Sequence, residues 1–147
     1  MKEFVVGAND TGIKLFNILE QSSVLTIHNA HQDNIKKVCY LPGNQDIILS
    51  ASSDRTVKLW DLRNTQQALS TVKLAHQIED LCAIHGTPSW VVANGSLLTV
   101  LNVTAAAPLT RVADYQAFQR PVMRVRWDKT RERLMAAGMD QQLKVFA

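Results

Sequence analysis

The amino-acid sequence predicts an all-β fold built from repeated four-stranded units. Three observations lead to this prediction: a repeat with a period of 41 to 45 residues, short runs in which apolar and polar residues alternate, and turn residues between those runs. No run has the apolar spacing and the caps of an amphipathic helix over three turns. Strands rather than helices are therefore expected throughout the chain.

The repeat is clearest in four alternating segments, each of which follows a turn signal. These segments begin at Asp10, Asp54, Gly95 and Asp140, so that successive starts are 44, 41 and 45 residues apart. Alternation with a period of two residues is typical of strands that have one buried face. The four segments are residues 10–17, 54–61, 95–102 and 140–147.

Three further β-rich runs precede each segment where the chain is long enough. In the second repeat they are residues 24–27, 35–40 and 47–52. Four strands in about 40 to 45 residues is the length of one blade of a WD-type β-propeller. The chain begins in the third run of a unit near Phe4 and ends in the fourth run of a unit at Phe146. Two strands followed by three sets of four predict fourteen strands, or about three and a half four-stranded blades.

The predicted blades belong to one propeller domain that is incomplete by itself. Closed propellers typically contain four to eight blades. We therefore expect a partial propeller that a longer protein completes, or two copies that associate. The fragment is favoured, because the chain begins inside a blade. The predicted divisions are a partial blade over 1–18 and blades over 19–63, 64–103 and 104–147.

Composition places the chain among globular proteins and excludes several functional classes. It has 147 residues, 46% hydrophobic and 20% charged, and 16 Lys and Arg against 13 Asp and Glu give a net charge of +3. This balance excludes a histone-like or tail-type nucleic-acid binder. Cys39 and Cys82 are too few for a disulfide scaffold or a four-thiolate zinc site, so reduced, intracellular thiols are expected.

No cofactor, metal, membrane or small-molecule substrate is expected. The sequence lacks the glycine-rich loops that hold phosphates. His28 and His31 form an H-x-x-H pair without an evident further zinc ligand. The longest stretch without charged residues, 81–110, is interrupted by glycine, proline and asparagine too often for a membrane span.

The second repeat resembles the WD40 family in Ala30-His31, in residues 50–54 and in residues 56–61. In that family a histidine, a strand serine or threonine, a turn aspartate and a tryptophan form a buried hydrogen-bond network. The resemblance implies these roles for His31, Ser50, Asp54 and Trp60, with Ser52 as a less favoured alternative to Ser50. Such a network leaves each buried donor with an acceptor.

The later repeats depart from this pattern. In the third, His76 stands at the expected histidine position, but Gly95 and Leu101 replace the aspartate and the tryptophan. In the fourth, Gln119 replaces the histidine and Phe146 the tryptophan. Only the second blade is therefore expected to hold a complete network, and the others are expected to depend on apolar packing.

Serine, histidine and aspartate can also act as nucleophile, base and orienting group. A hydrolase that uses His31 and Asp54 is the corresponding alternative. The chain has no G-x-S-x-G motif, and the histidine and aspartate positions follow the strand spacing of the repeat. We therefore favour the structural interpretation and expect no catalytic residues.

One basic segment allows two interpretations. Either it is a solvated rim, which we favour, or it is an edge that binds RNA phosphates together with Lys36 and Lys37. An acidic protein surface would fit the same edge. The basic side chains of this segment are Arg120, Arg124, Arg126, Lys129, Arg131 and Arg133.

Within the WD40 family, residues 62–83, 93–95 and 134–146 resemble WD-repeat proteins of the small-subunit processome. This resemblance implies a non-catalytic protein-interaction scaffold in ribosome biogenesis. Its partners would be other processome proteins and pre-rRNA, the latter contacted through phosphates, in the nucleolus of the nucleus. The alternative is a generic WD40 adaptor for ubiquitin ligation, trafficking or chromatin. Such an adaptor would bind peptides near the loops of its upper face, and without the nucleolar resemblance a cytoplasmic location is expected.

Overall fold

A computed structural model describes residues 3–7 and 10–147, which form fourteen β-strands in four antiparallel sheets. Within this part of the chain no helix has the length and apolar character needed to cross a membrane. The strands are β1 Glu3–Gly7, β2 Ile13–Asn17, β3 Ser22–Ile27, β4 Ile35–Tyr40, β5 Ile47–Ser52, β6 Thr56–Asp61, β7 Ser70–Lys73, β8 Ile78–Ala83, β9 Ser89–Asn94, β10 Leu97–Thr104, β11 Ala107–Gln116, β12 Val122–Asp128, β13 Arg133–Gly138 and β14 Leu143–Phe146.

The sheets follow chain order and contain three, four, four and three strands. The first sheet is β1–β3, the second β4–β7, the third β8–β11 and the fourth β12–β14. Within each sheet, every strand pairs in antiparallel fashion with the strand next to it in the sequence, as hairpin connections allow. The prediction of an all-β, WD40-type propeller fold of about three and a half blades is confirmed.

The sheets are offset from the sequence repeats. Strand β3 pairs with β2, with Ile27 opposite Ile13, so residues 22–27 complete the first sheet instead of opening a blade over 19–63. Strands β7 and β11 complete the second and third sheets in the same way. The cause is the connection that follows each of these strands, which crosses to the next sheet instead of folding back in a hairpin.

Apolar side chains fill the spaces between adjacent sheets. Strand β9 shows the pattern, because Trp90 and Val92 pack toward the second sheet whereas Val91 and Ala93 pack toward the fourth. Alternate residues of a strand point to opposite faces, so a sheet that is covered on both sides is apolar at consecutive positions. This packing holds the loops of neighbouring sheets in fixed positions on one face of the molecule.

Candidate functional site

Four side chains of the second blade meet in one buried network. His31 lies in the connection between β3 and β4, Ser50 lies in β5, Asp54 lies in the β5–β6 turn and Trp60 lies in β6. The backbone N–H of His31 donates to the carbonyl of Thr11 in the first sheet at 3.1 Å, while its ring reaches the second sheet. The connection is thereby fixed to both sheets.

The hydrogen bonds of this network are donated in sequence from Trp60 to Ser50, from Ser50 to His31 and from His31 to Asp54. Trp60 Nε1 donates to Ser50 Oγ at 2.9 Å, and Ser50 Oγ lies 2.7 Å from His31 Nε2. His31 Nδ1 lies 2.9 Å from Asp54 Oδ2, and Thr56 Oγ1 donates to Asp54 Oδ1 at 2.6 Å. Since a carboxylate only accepts, Nδ1 carries the hydrogen and Nε2 accepts from the serine hydroxyl.

The ionisation of the network follows from its surroundings. Burial lowers the pKa of His31, against the opposing charge of Asp54, so the imidazole is neutral at pH 7. Burial by itself would raise the pKa of Asp54. Hydrogen bonds from the Thr56 side chain and from the N–H groups of Gln32 and Thr56 outweigh it and lower that pKa to about 2. The aspartate is therefore an anion that is fully used as an acceptor.

The same geometry argues against hydrolysis. Ser50 has no exposed surface, His31 is 3% exposed and Trp60 is 5% exposed. A nucleophile must reach its substrate, and Ser50 Oγ is closed off by Trp60 on one side and by the imidazole on the other. Ser52 makes none of the network's hydrogen bonds to His31 or Trp60. Its hydroxyl accepts the N–H of Asp54 at 3.1 Å and donates to the carbonyl of Asn34 at 3.0 Å.

Equivalent positions in the later blades are occupied by Leu74 and Phe118. The N–H of Leu74 donates to Arg55 O at 2.8 Å, and that of Phe118 donates to Ser96 O at 3.2 Å, as that of His31 does to Thr11 O. The expectation that His76 and Gln119 stand there is therefore wrong. All three buried residues lie four positions before the first strand of the next sheet, a spacing that the sequence could have revealed. These first strands, β4, β8 and β12, are called the inner strands below.

The third blade has a polar network that the sequence interpretation missed. Asn94 Oδ1 accepts the N–H of His76 at 2.8 Å, much as Asp54 Oδ2 accepts that of Gln32. Asn94 Nδ2 donates to Thr99 Oγ1, which donates to Asp114 Oδ1 at 2.8 Å. Asn94, and not Gly95, thus takes the place of the turn aspartate. The expectation that this blade depends on apolar packing alone is wrong.

The fourth blade shares one feature with the second, a lysine that lies near an aromatic ring and donates to a backbone carbonyl of the connection. Lys144 Nζ lies 4.7 Å from the ring centre of Phe118 and donates to Ala117 O. Lys58 Nζ has the corresponding position in the second blade, 5.7 Å from the ring centre of Trp60. Lys58 Nζ also donates to Ala30 O at 2.6 Å, so in both blades the lysine holds a carbonyl of the connection while it lies near an aromatic ring.

Acidic partners among the described residues occupy two of the six basic side chains of the basic segment. Strand β12 is about 20 Å long at roughly 3.3 Å per residue, with Arg120 before one end and Lys129 and Arg131 beyond the other. Arg126 pairs with Asp80 at 2.7 Å, and Arg131 pairs with Asp128 at 3.3 Å. Within residues 3–7 and 10–147, the members without an acidic partner are Arg120, Arg124, Lys129 and Arg133.

Asp80 joins the inner strands of three sheets. Its buried carboxylate accepts from Lys37 Nζ at 3.0 Å and from Arg126 at 2.7 Å. It also accepts the N–H groups of Leu81 and Val125. The sequence signal for this cluster was the acidic pair at 79–80, which stands where the preceding repeat has two lysines.

Neither metal nor thiol chemistry is indicated by the geometry. Among the described residues, no group of three or more His, Cys, Asp or Glu side chains is placed to hold a metal ion. Burial raises the pKa of Cys39 to about 12 and that of Cys82 to about 11, so both thiols stay protonated.

Comparison with known proteins supports the repeat family. Residues 22–61 match the model described as WD domain, G-beta repeat. A DDB1- and CUL4-associated factor 11 homolog of Caenorhabditis briggsae is 34% identical over 62 residues, which is 42% of this chain and 11% of that protein. Methylosome protein WDR77 of Xenopus laevis is 36% identical over 64 residues, which is 44% of this chain and 19% of that protein.

Two further matches cover more of the chain. THO complex subunit 3 of Arabidopsis thaliana is 28% identical over 98 residues, which is 67% of this chain and 30% of that protein. A chain in the crystal structure of the Mitotic Checkpoint Complex superposes with a TM-score of 0.85 and 17% identity, over 98% of this chain and 45% of that chain. The chain thus spans less than a third of these curated relatives and less than half of the solved propeller chain. Its second repeat is a WD40 repeat in sequence and in hydrogen bonding, and the whole chain has the fold of about three and a half blades of a WD40-type propeller.

Proposed function

We propose that the chain is a non-catalytic scaffold that binds other proteins through the loops of its propeller face. The observation that carries this proposal is the closure of the His31, Ser50 and Asp54 network. The side chains that could have done acid–base chemistry are buried and fix the positions of the loops instead. Function on such a fold resides in the surface that the loops present.

The names of the relatives support an adaptor role. DDB1- and CUL4-associated factor 11, the methylosome protein and THO complex subunit 3 are each named for a multiprotein assembly. By analogy this chain is a subunit that holds other proteins together in a complex, and ubiquitin ligation, trafficking and chromatin remain the candidate settings. Of the two candidate functions, the adaptor role is the one that the buried network supports better.

A role in small-subunit ribosome biogenesis is the second candidate. It rests on the resemblance of residues 62–83, 93–95 and 134–146 to processome proteins, and it implies nucleolar location and contact with pre-rRNA. Four members of the basic segment pair with none of the described carboxylates and are free for phosphate contacts, namely Arg120, Arg124, Lys129 and Arg133. The pairing of Lys37 and Arg126 with Asp80 reduces the charge that such contacts would use.

Purification from cells separates these candidates. The tagged full-length protein is crosslinked and purified, and its proteins and the pre-rRNA spacer are quantified against an untagged control. Enrichment of one defined set of proteins without the spacer supports the adaptor. Enrichment of the spacer with processome proteins supports the second candidate, provided that the enrichment falls when Arg120, Arg124, Lys129 and Arg133 are all replaced by glutamine. Absence of any specific protein contradicts the scaffold.

A further inference from the structure

We propose that a cleft between the second and third blades binds an acidic side chain of a partner peptide, with Arg55 and His76 as the recognising groups. The cleft has a volume of about 380 Å³ and lies among the connections and turns of the upper face. This inference rests on the proposed scaffold function and specifies the chemistry of the partner. The lining residues are Arg55, Ala75, His76, Gln77, Glu79, Gly95 and Pro121.

The walls of the cleft are held rigidly by backbone hydrogen bonds. The connection between β7 and β8 is tied to the second blade by Leu74 N to Arg55 O at 2.8 Å. It is tied to its own blade by Gly95 N to Gln77 O at 3.2 Å. Val122 N donates to Gly95 O at 2.7 Å and fixes the next connection. A preformed cleft loses little conformational entropy when a ligand binds.

Arg55 has an unusual position for a cation. It lies at the tip of the β5–β6 turn with a φ of 72°, a left-handed conformation that is uncommon for residues other than glycine. The corresponding turn residues of the other blades are Thr11, Gly95 and Gln141, all uncharged. Its side chain is exposed, and none of the described carboxylates pairs with it. It is therefore free to bind an external anion.

His76 is placed at the opposite wall by a glycine. A Cβ atom on Gly95 would lie 2.8 Å from His76 Cγ, so the imidazole packs directly against the glycine backbone. The backbone N–H of His76 is already used by Asn94, but the side chain is exposed at the cleft. The ring can therefore donate a hydrogen bond to a carboxylate that Arg55 holds.

The charge balance of the cleft favours an anion. Glu79 is the acidic residue of the lining, and Lys36 pairs with it at 3.0 Å. Arg55 therefore remains as an uncompensated charge. An RNA strand would need several cations along its backbone and aromatic rings for its bases. Lys37 and Arg126 are occupied by Asp80, and apart from the imidazole the lining has no aromatic ring. A peptide carboxylate fits these groups better.

Selection from a phage-displayed library of random heptapeptides tests this inference, with the full chain as bait. The baits are the wild type, Arg55→Gln, His76→Gln and the control Arg133→Gln, which changes an exposed arginine outside the cleft. Glutamine is suited to position 55, because Gln141 adopts the equivalent conformation with a φ of 63°. Thermal melts of all baits should coincide.

We expect the wild type and Arg133→Gln to enrich peptides that contain Asp or Glu. A synthetic copy of the most enriched peptide should bind Arg55→Gln roughly 10- to 100-fold more weakly, the loss typical of one hydrogen bond to a charged group. His76→Gln should weaken binding less, and Arg133→Gln should change it less than 2-fold.

Three results would overturn the inference. Enriched peptides without acidic residues, or acidic peptides that bind Arg55→Gln as well as the wild type, would refute the cleft and leave the scaffold standing. Tighter binding of a ten-nucleotide oligouridylate, weakened by Arg55→Gln, would assign the cleft to nucleic acid. Failure of every bait to enrich any peptide would count against the scaffold as well.

Discussion

At the residue scale, the buried indole of Trp60 connects apolar packing to the polar network of the second blade. Its ring packs with Ile13, Ile35 and Ile48 between the first two sheets, while its N–H donates to Ser50. A residue with both roles is more costly to lose than a purely apolar one. The two contributions can be separated by two different substitutions.

Replacing Trp60 with alanine should lower the free energy of unfolding by about 3 to 5 kcal/mol through the cavity and the lost hydrogen bond. Trp60→Phe retains an aromatic ring and removes the N–H donor, so it should cost less than the alanine variant. Urea denaturation followed by circular dichroism measures both. An unchanged midpoint for Trp60→Ala would contradict the buried role of the indole.

The ionisation of Asp54 should make stability depend on pH. Its pKa is about 2 in the folded state against 3.8 ordinarily, so the unfolded chain takes up the proton first as pH falls. The resulting stabilisation is complete above pH 3.8, is lost as pH falls toward 2, and amounts to about 2 kcal/mol. The pKa of His31 is lowered from 6.5, so this residue adds a loss of stability in the same direction that begins near pH 6.5.

Urea unfolding of the wild type and Asp54→Asn at several pH values measures the contribution of the aspartate together with its effect on the pKa of His31. The stability of the wild type should fall by about 2 kcal/mol more than that of the variant between pH 5 and pH 2. Parallel curves would show that Asp54 has an ordinary pKa.

The residues of the second-blade network could be predicted from the sequence, whereas the residues at the equivalent positions of the later blades could not be predicted from residue type. His31, Ser50, Asp54 and Trp60 could be named from the sequence, because their types and spacing follow a known repeat. Leu74 and Phe118 could not be found by looking for polar residues, since apolar side chains occupy the equivalent place. The connections vary in length, so that counting from the preceding strand loses the register.

At the element scale, the inner strands β4, β8 and β12 are held together by a buried carboxylate. Strand alternation indicates which face a residue occupies but not which strand lies opposite, so the pairing of Asp80 with Lys37 and Arg126 could not be predicted from any single repeat. The neighbouring Glu79 makes a more exposed pair with Lys36. Substitution of Asp80 and of Glu79 therefore compares the loss of a buried acidic side chain with the loss of a more exposed one on the same strand.

Asp80→Ala should lower the free energy of unfolding by about 1 to 3 kcal/mol, because the buried N–H of Val125 loses its acceptor. Lys37 and Arg126 can turn toward solvent, which limits the loss. Glu79→Ala should cost at most about 1 kcal/mol. Equal losses in urea denaturation would indicate that Asp80 does not join the strands as described.

At the scale of the whole molecule, strand number was predictable and sheet membership was not. A period of two residues within a period of about 43 identifies fourteen strands. It does not show that residues 22–27 fold back on β2. In this arrangement two copies would bring together eight sheets, four of them three-stranded, instead of the seven four-stranded blades that strand counting suggests.

The exposed apolar side chains of the first and fourth sheets should cause the chain to associate. In the part of the chain that the structure describes, seven of the ten exposed large apolar side chains lie on these two sheets and their turns, among them Leu143 at 68% and Val145 at 53% on β14. Among the described strands, β14 pairs only with β13, which leaves its other edge open. An open apolar edge strand is a site of pairing with another chain.

Sedimentation velocity over a range of concentrations tests this expectation. The wild type should form larger species as concentration rises, and the Leu143→Lys, Val145→Lys variant should remain smaller, because lysine on an edge strand opposes pairing. Substitution of the exposed Val112 and Tyr115 by lysine on β11, the outer strand of a sheet that already has four strands, is the matched comparison and should reduce association less. Equal association of all three proteins would show that β14 is not the surface at which the propeller is extended.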